Sequence, residues 1–220
     1  MTTTRHEYAV LGDTYLTIAA VVFGIIALAL AFVLIRYRAG RNPERAPGGR
    51  EKHTVLEVSY VVLLAVITTF LVTITFRALT KENGITTAAA NARNGLHIDV
   101  LAAQWNWTFR YLGRPVVTVN PPAANGPTPL RVPVGRPILF TGHSLDVLHQ
   151  FWVPDVRFKR QVWPDHVETW GMVFPKAGTF QGMCNWFCGL RHQDMRFNVI
   201  AMPPRQFDAW LAGRRARAAR

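Results

Sequence analysis

Along the chain the spacing of apolar positions changes character once. Thr14 to Ile35 and Val58 to Phe76 carry no charged residue, and each matches the ~20 residues with which a helix crosses a bilayer. These runs predict helices over about 14–36 and 54–77, forming a transmembrane hairpin within residues 1–80. The first run follows a mixed-charge lead with Arg5, Glu7 and Asp13 and ends in Arg36 and Arg38. It therefore reads as a retained helix and not a cleaved signal. Residues 81–94 read as a connector, beyond which apolar residues come in short β-rich stretches broken by Pro and Gly. Leu96 to Ala102, Trp105 to Tyr111, Val116 to Val119, Leu130 to Val134, Ile138 to Thr141, Val167 to Val173, Thr179 to Met183 and Phe197 to Ala201 are the predicted strands. They predict an all-β sandwich or barrel over residues 95–203, with Pro121 to Pro129 as a surface loop and 204–220 as a basic tail.

Charge adds a direction. The chain carries a formal net charge of +12. Between the apolar runs Arg36, Arg38, Arg41, Arg45, Arg50 and Lys52 face only Glu44 and Glu51. Cationic loops stay in the cytoplasm, so residues 37–53 are expected inside and both termini and the β domain outside. That orientation, and the lack of any nucleic-acid-binding motif, argue against a nucleic-acid partner. The Ala/Arg-rich bias points to a bacterial plasma membrane. Arg214, Arg215, Arg217 and Arg220 are expected to touch anionic lipid or a neighbouring subunit.

Candidate chemistry is concentrated between Gly182 and Met195, which hold both cysteines of the chain. Cys184, Cys188, His192 and Met195 offer two thiolates, an imidazole and a thioether, a soft set that suits copper. As one straight helical stripe they would spread over about 16 Å, too far to share a metal. A shared site needs a curled loop, which Gly182 and Gly189 permit. A Cys184–Cys188 disulfide, a zinc clip, or simple core packing are the competing readings.

The spacing C-x3-C-x3-H-x2-M resembles the dinuclear copper (CuA) loop of subunit II of haem-copper respiratory oxidases. Asp146-Val-Leu-His149-Gln-Phe-Trp152 resembles the upstream motif that supplies another histidine in that family. The resemblance implies that Cys184 and Cys188 bridge two coppers, that His149 and His192 each bind one, and that Met195 and the Trp186 main-chain carbonyl are weak ligands. Gln104-Trp-Asn-Trp-Thr-Phe-Arg-Tyr111 is similar to the family's aromatic stretch. It implies that Trp105 is where electrons arrive, with Trp107 in the core; a core role for Trp105 is the alternative. His53-Thr-Val-Leu-Glu57-Val-Ser-Tyr60 resembles the start of the family's second helix. Glu57 would then mark the mouth of a proton path; alternatively it is a helix-end carboxylate favoured by the helix dipole. Asp146 and Asp194 are expected either to support the ligands or to be solvated, and His143 and His166 are read as non-ligands.

The implied fold is a two-helix membrane hairpin followed by a cupredoxin-like Greek-key barrel. The implied function is to take electrons from cytochrome c and pass them to haem in subunit I, with subunit III alongside, where oxygen becomes water and protons are moved. The sequence holds no C-x-x-C-H, so the haem is expected in the partner. Trp186 stands where the family usually has a magnesium-binding glutamate, so no such ligand is expected here. The copper loop looks closer to the B-type branch, many of whose members have a single anchor helix. From Asn94 onward 15 Lys and Arg face 7 Asp and Glu. Either acidic residues cluster near Trp105, or the donor is an acidic or membrane-tethered cytochrome. A CuA-bearing nitric-oxide reductase subunit and an electron-silent anchored structural or assembly protein are the alternatives.

Overall fold

A computed structural model describes residues 4–38, 52–93, 95–121 and 126–219. The chain divides into two compact units, Val10–Ala78 and a unit formed chiefly by Leu79–Arg220. In the first, helices α1 (Thr4–Arg36) and α2 (Thr54–Asn91) contain the two apolar runs. Their most apolar windows have mean hydropathies of 3.1 and 2.4, and none of either window is buried. Helices of a soluble core would be covered by protein, whereas these expose Leu, Ile, Val and Phe on all sides, as lipid-facing helices do. Tyr15 ties the pair together with a hydrogen bond to Thr75 Oγ1 at 2.7 Å. The chain is membrane-anchored. The basic loop expected in the cytoplasm lies, from residue 39 to 51, outside the described residues.

Both helices are longer than the apolar runs. The polar lead before Thr14 is helical from Thr4, and α2 continues through the expected connector to Asn91. No proline interrupts that stretch, and Ala88-Ala89-Ala90 favours helix. Tertiary contacts hold it within the second unit: Ala89 is buried, Glu82 pairs with Arg160, and Thr86 Oγ1 accepts the Gly171 N–H at 2.9 Å.

The second unit is a sandwich of two five-stranded sheets. Its strands are β1 (Leu96–Ala103), β2 (Asn106–Tyr111), β3 (Val117–Val119), β4 (Thr128–Pro133), β5 (Ile138–Ser144), β6 (His149–Val153), β7 (Phe158–Val162), β8 (Glu168–Met172), β9 (Gly178–Cys184) and β10 (Arg196–Met202). One sheet runs β3-β2-β1-β5-β8 and the other β4-β10-β9-β6-β7. Strand β1 pairs parallel with β5, and β4 with β10. Period-2 alternation puts Ile98, Val100 and Ala102 of β1 and Phe197, Val199 and Ala201 of β10 into the core. Phe151 and Phe197 of one sheet stack at 4.5 Å, Phe140 and Trp170 of the other at 5.7 Å, and Phe151 meets Trp170 across the gap at 5.6 Å. Gly182 makes room for that layer: a Cβ there would lie 2.2 Å from the Phe197 ring.

Three local features differ from expectation. Alternation does not reveal β6, whose His-Gln-Phe-Trp-Val is buried at every position but Trp152, or β7, whose Phe-Lys-Arg-Gln-Val is apolar only at its ends. Thr128 and Pro129, expected in the proline-rich loop, begin β4, while residues 122–125 lie outside the described residues. The basic tail is a helix, α3 (Pro204–Ala218), with Phe207 and Leu211 buried against the sandwich. Phe207 and Trp210 pack on Tyr111 at 6.3 and 5.1 Å.

Candidate metal centre

Register brings the candidate ligands together. Phe151 of β6 pairs with Cys184, the last residue of β9, so His149 lies two residues beyond the end of that ladder, on the same face as Phe151. The ladder then continues through loop backbone: Cys184 N–H donates to the Met195 carbonyl at 3.0 Å, and Asn185 N–H to that of Gln150 at 3.1 Å. Cys188 lies in the loop after β9, and a 3-10 turn, His192–Asp194, returns the chain to Met195 at the foot of β10. The loop is curled and not helical.

The donor atoms fall into two matched halves. His149 Nδ1 lies 3.8 Å from Cys184 Sγ, and the Trp186 carbonyl oxygen 3.3 Å from the same sulfur. His192 Nδ1 lies 3.4 Å from Cys188 Sγ, and Met195 Sδ 3.9 Å from it. The sulfurs are 3.8 Å apart and both cysteines are free. Two donors bound at ~2.0–2.3 Å to one four-coordinate ion are themselves about 3.5 Å apart, so this spacing fits metal-bound donors. His149, Cys184 and Cys188 have donor atoms within 4.8 Å of one another and are all buried. A cluster of two thiols, two imidazoles and a thioether, buried except for the half-buried His192, fits a soft metal such as copper.

Protonation follows from the same contacts. Burial disfavours the charged imidazole of His149, but hydrogen bonds to Cys184 and Asp146 outweigh it and raise the pKa. Burial likewise disfavours the Cys184 thiolate, yet hydrogen bonds from His149 and the Gln150 backbone lower its pKa overall. Cys188 is pushed up to about 12, first by burial and then by the neighbouring Cys184 charge. Two adjacent thiolates need a cation between them, which is what a metal provides.

Asp146 holds the buried histidine. Its Oδ1 accepts the His149 Nε2–H at 2.8 Å and the Val147 N–H at 2.6 Å, and its Oδ2 accepts the Gln104 N–H at 2.6 Å. Burial works against this carboxylate, but those donors, His149 first, bring its pKa below the ordinary value. With Nε2 engaged, Nδ1 is the nitrogen that faces the sulfurs. Asp194, the other carboxylate considered, is exposed and pairs with Arg191 at 3.3 Å.

Comparison with known proteins bears on the domain that carries these residues. Residues 125–202 match the family model described as cytochrome c oxidase subunit II, periplasmic domain. Over those residues the chain is similar to that family. Cytochrome c oxidase subunit 2 of Alkalihalophilus pseudofirmus is 27% identical over 194 residues, covering 86% of this chain and 53% of the relative. Alternative cytochrome c oxidase subunit 2 of Bradyrhizobium diazoefficiens is 27% identical over 218 residues, covering 88% of this chain and 75% of the relative. The chain thus spans between about half and three quarters of these relatives' length. The crystal structure of the periplasmic domain of subunit II of cytochrome oxidase from Bradyrhizobium japonicum superposes with a TM-score of 0.50 at 22% identity. It covers 56% of this chain and 94% of that one, and the likeness concerns the fold.

The other residues singled out by sequence take distinct places. Trp107 is fully buried; its indole N–H points at the Met195 carbonyl at 3.4 Å, and its ring meets His149 edge-on at 6.2 Å. Trp105 is half-buried at the surface, and its N–H donates to the Cys188 carbonyl at 3.2 Å. His166 lies between Asp165 and Glu168 at 2.8 and 3.4 Å. Glu57 is in the first turn of α2 and exposed. Sequence reasoning missed Gln104 and Ser144. Ser144 Oγ donates to the Val147 carbonyl and accepts the Asp146 N–H at 3.3 Å, bracing the turn before His149. Position two residues ahead of an aspartate in a turn is the signal that could have revealed Ser144.

Proposed function

We propose that this chain is the electron-accepting subunit II of a haem-copper terminal oxidase. His149, Cys184, Trp186 through its main-chain carbonyl, Cys188, His192 and Met195 would hold a dinuclear copper centre. The observation that carries the reading is the division of these donors into two halves, each with one imidazole and one weak donor, around a shared pair of sulfurs. Copper bound there would supply one-electron chemistry.

The chain's own residues supply the rest. Asp146 fixes the His149 ring, Trp107 covers Met195 and His149, and the buried Cys184, Cys188 and Met195 keep the cluster dry. Small ligand displacement on gain or loss of an electron is what such a packed frame favours. Trp105 is the port: a cytochrome c donor meets its half-exposed ring, which is one hydrogen bond from the backbone of Cys188. The ligand end is also rimmed by exposed apolar side chains, Leu145, Val147, Trp186, Phe187 and Leu190. Clustered exposed apolar groups mark an interface, and the fitting partner is the haem-bearing subunit I, with subunit III beside it. There electrons would reduce oxygen to water, coupled to proton translocation.

The membrane part follows the same reading. Both helices span the bilayer, residues 37–53 face the cytoplasm, and the copper domain lies outside, as the positive-inside rule requires. Glu57 at the inner end of α2 would lead protons toward the catalytic subunit. Among the described residues around Trp105, Asp146 is committed to His149 and Asp194 to Arg191. With 15 Lys and Arg against 7 Asp and Glu from Asn94 onward, the donor that fits is an acidic or membrane-tethered cytochrome. The test is stopped-flow mixing of reduced cytochrome c with the purified oxidase complex. Trp105→Ala should slow electron uptake roughly a hundredfold while the copper spectrum persists. Uptake at the unaltered rate would refute the port.

A further inference from the structure

We infer that Gln104 is the positioning residue that seats Trp105 on the cysteine loop; this rests on the reading of Trp105 as the electron port. Its side-chain Nε2–H donates to the Cys188 carbonyl at 2.7 Å, the same oxygen that the Trp105 indole N–H reaches at 3.2 Å. A carbonyl oxygen has two lone pairs, so one acceptor serves both donors, and the glutamine makes the shorter bond. Its backbone N–H donates at 2.6 Å to Asp146, whose other oxygen holds His149 at 2.8 Å. Residue 104 therefore bridges the backbone of one thiol residue and the support of one imidazole, with Trp105 next in the chain.

The opposing surface is shaped for this contact. Gly189, immediately after Cys188, has φ +115°, a conformation that side-chain-bearing residues avoid. A Cβ there would stand 3.0 Å from Gln104 Nε2 and 3.2 Å from Trp105 Cζ2. Amide and indole thus lie directly on the backbone of the loop. Gln104 itself is exposed and adds nothing to the apolar core, so its two bonds are its structural contribution. Without its amide, Trp105 keeps a single, longer hydrogen bond at the surface and its ring is free to swing away from Cys188.

Gln104→Glu preserves shape but removes the side-chain N–H, and Gln104→Leu removes the polar group. Both are made in the full chain within the assembled oxidase. Three readouts apply: copper content with the visible spectrum, hydroxyl-radical oxidation of Trp105 read by mass spectrometry, and electron uptake from reduced cytochrome c. Expected are an unchanged copper spectrum, Trp105 oxidation raised several-fold with Trp107 still protected, and uptake slowed roughly tenfold. Wild-type Trp105 oxidation in both variants would overturn the assignment. So would loss of copper from both, since Gln104 would then be holding the ligand loop and not the ring. Trp105→Phe is run in parallel. Wild-type uptake there would refute the port and the inference with it, whereas slowed uptake there beside unaltered Gln104 variants would refute the inference alone.

Discussion

Strand β2 begins beside the cysteines and ends beneath α3, and the two ends use their polar groups differently. At the first, Cys184, Cys188, His149, His192 and Met195 turn their donor atoms toward one another across 3.4–3.9 Å, with no backbone ladder to occupy them. At the second, the Tyr111 hydroxyl both donates to the Arg131 carbonyl and accepts the Arg131 N–H, each at 2.8 Å, under the rings of Phe207 and Trp210. Burial pushes that hydroxyl far above its ordinary pKa, so it stays neutral. One end is a closed hydrogen-bond circuit; the other is a set of converging soft donors of the kind that binds a cation. Both are buried and aromatic-lined, so burial alone does not mark a site. Unspent, mutually facing donors do.

This contrast can be broken in graded ways. The largest effect is expected from Cys188→Ser, which should abolish the copper spectrum and reduce metal analysis to background while the far-UV circular dichroism of the chain persists. Next is Trp107→Ala, which removes a fully buried ring touching His149, Phe151 and Phe197. A loss of about 3–5 kcal/mol is expected in chemical denaturation, together with weakened copper retention. Tyr111→Phe, at the closed end, should cost about 1–3 kcal/mol by leaving the Arg131 backbone groups unpaired. Its copper spectrum should be unaltered, and a spectral change would show that the ends are not independent.

The smallest effect concerns His166. Its hydrogen bond to Asp165 raises the pKa most; slight burial opposes this and Glu168 adds to the rise. A raised folded-state pKa gives stability that is present below the unfolded value near 6.5 and is lost as pH rises through the folded value. At this exposed site the gain is slight, but NMR titration should place His166 above that value, and Glu168→Gln should move it back down.

Much of this was legible in the sequence, for physical reasons. A soluble domain seldom keeps two charge-free runs long enough for a bilayer, so the two helices could be read directly. Cys184, Cys188, His192 and Met195 were legible as a set because soft donors so close together are seldom there for packing alone. His149 stood 35 residues away from Cys184 and was found only through the resemblance of Asp146-Val-Leu-His149. Its strand, β6, could not be read because it is buried on both faces and so lacks alternation. Helix α3 was hidden by its arginines: a composition that reads as a solvated tail has Phe207 and Leu211 one turn apart on the buried side. Gln104 stood at the head of the aromatic stretch, but its role could not be read because it depends on a carbonyl that any residue could offer, 84 positions further on.

The central claim is a dicopper centre shared by two thiolates, and metal stoichiometry combined with electron paramagnetic resonance tests it most directly. The full chain, purified in detergent and loaded with copper under reducing conditions, should hold two coppers per chain. After one-electron oxidation, the signal should show a single unpaired electron delocalised over both nuclei. A single copper with a localised signal, or a Cys184–Cys188 disulfide that takes up no metal even after reduction, would contradict the account.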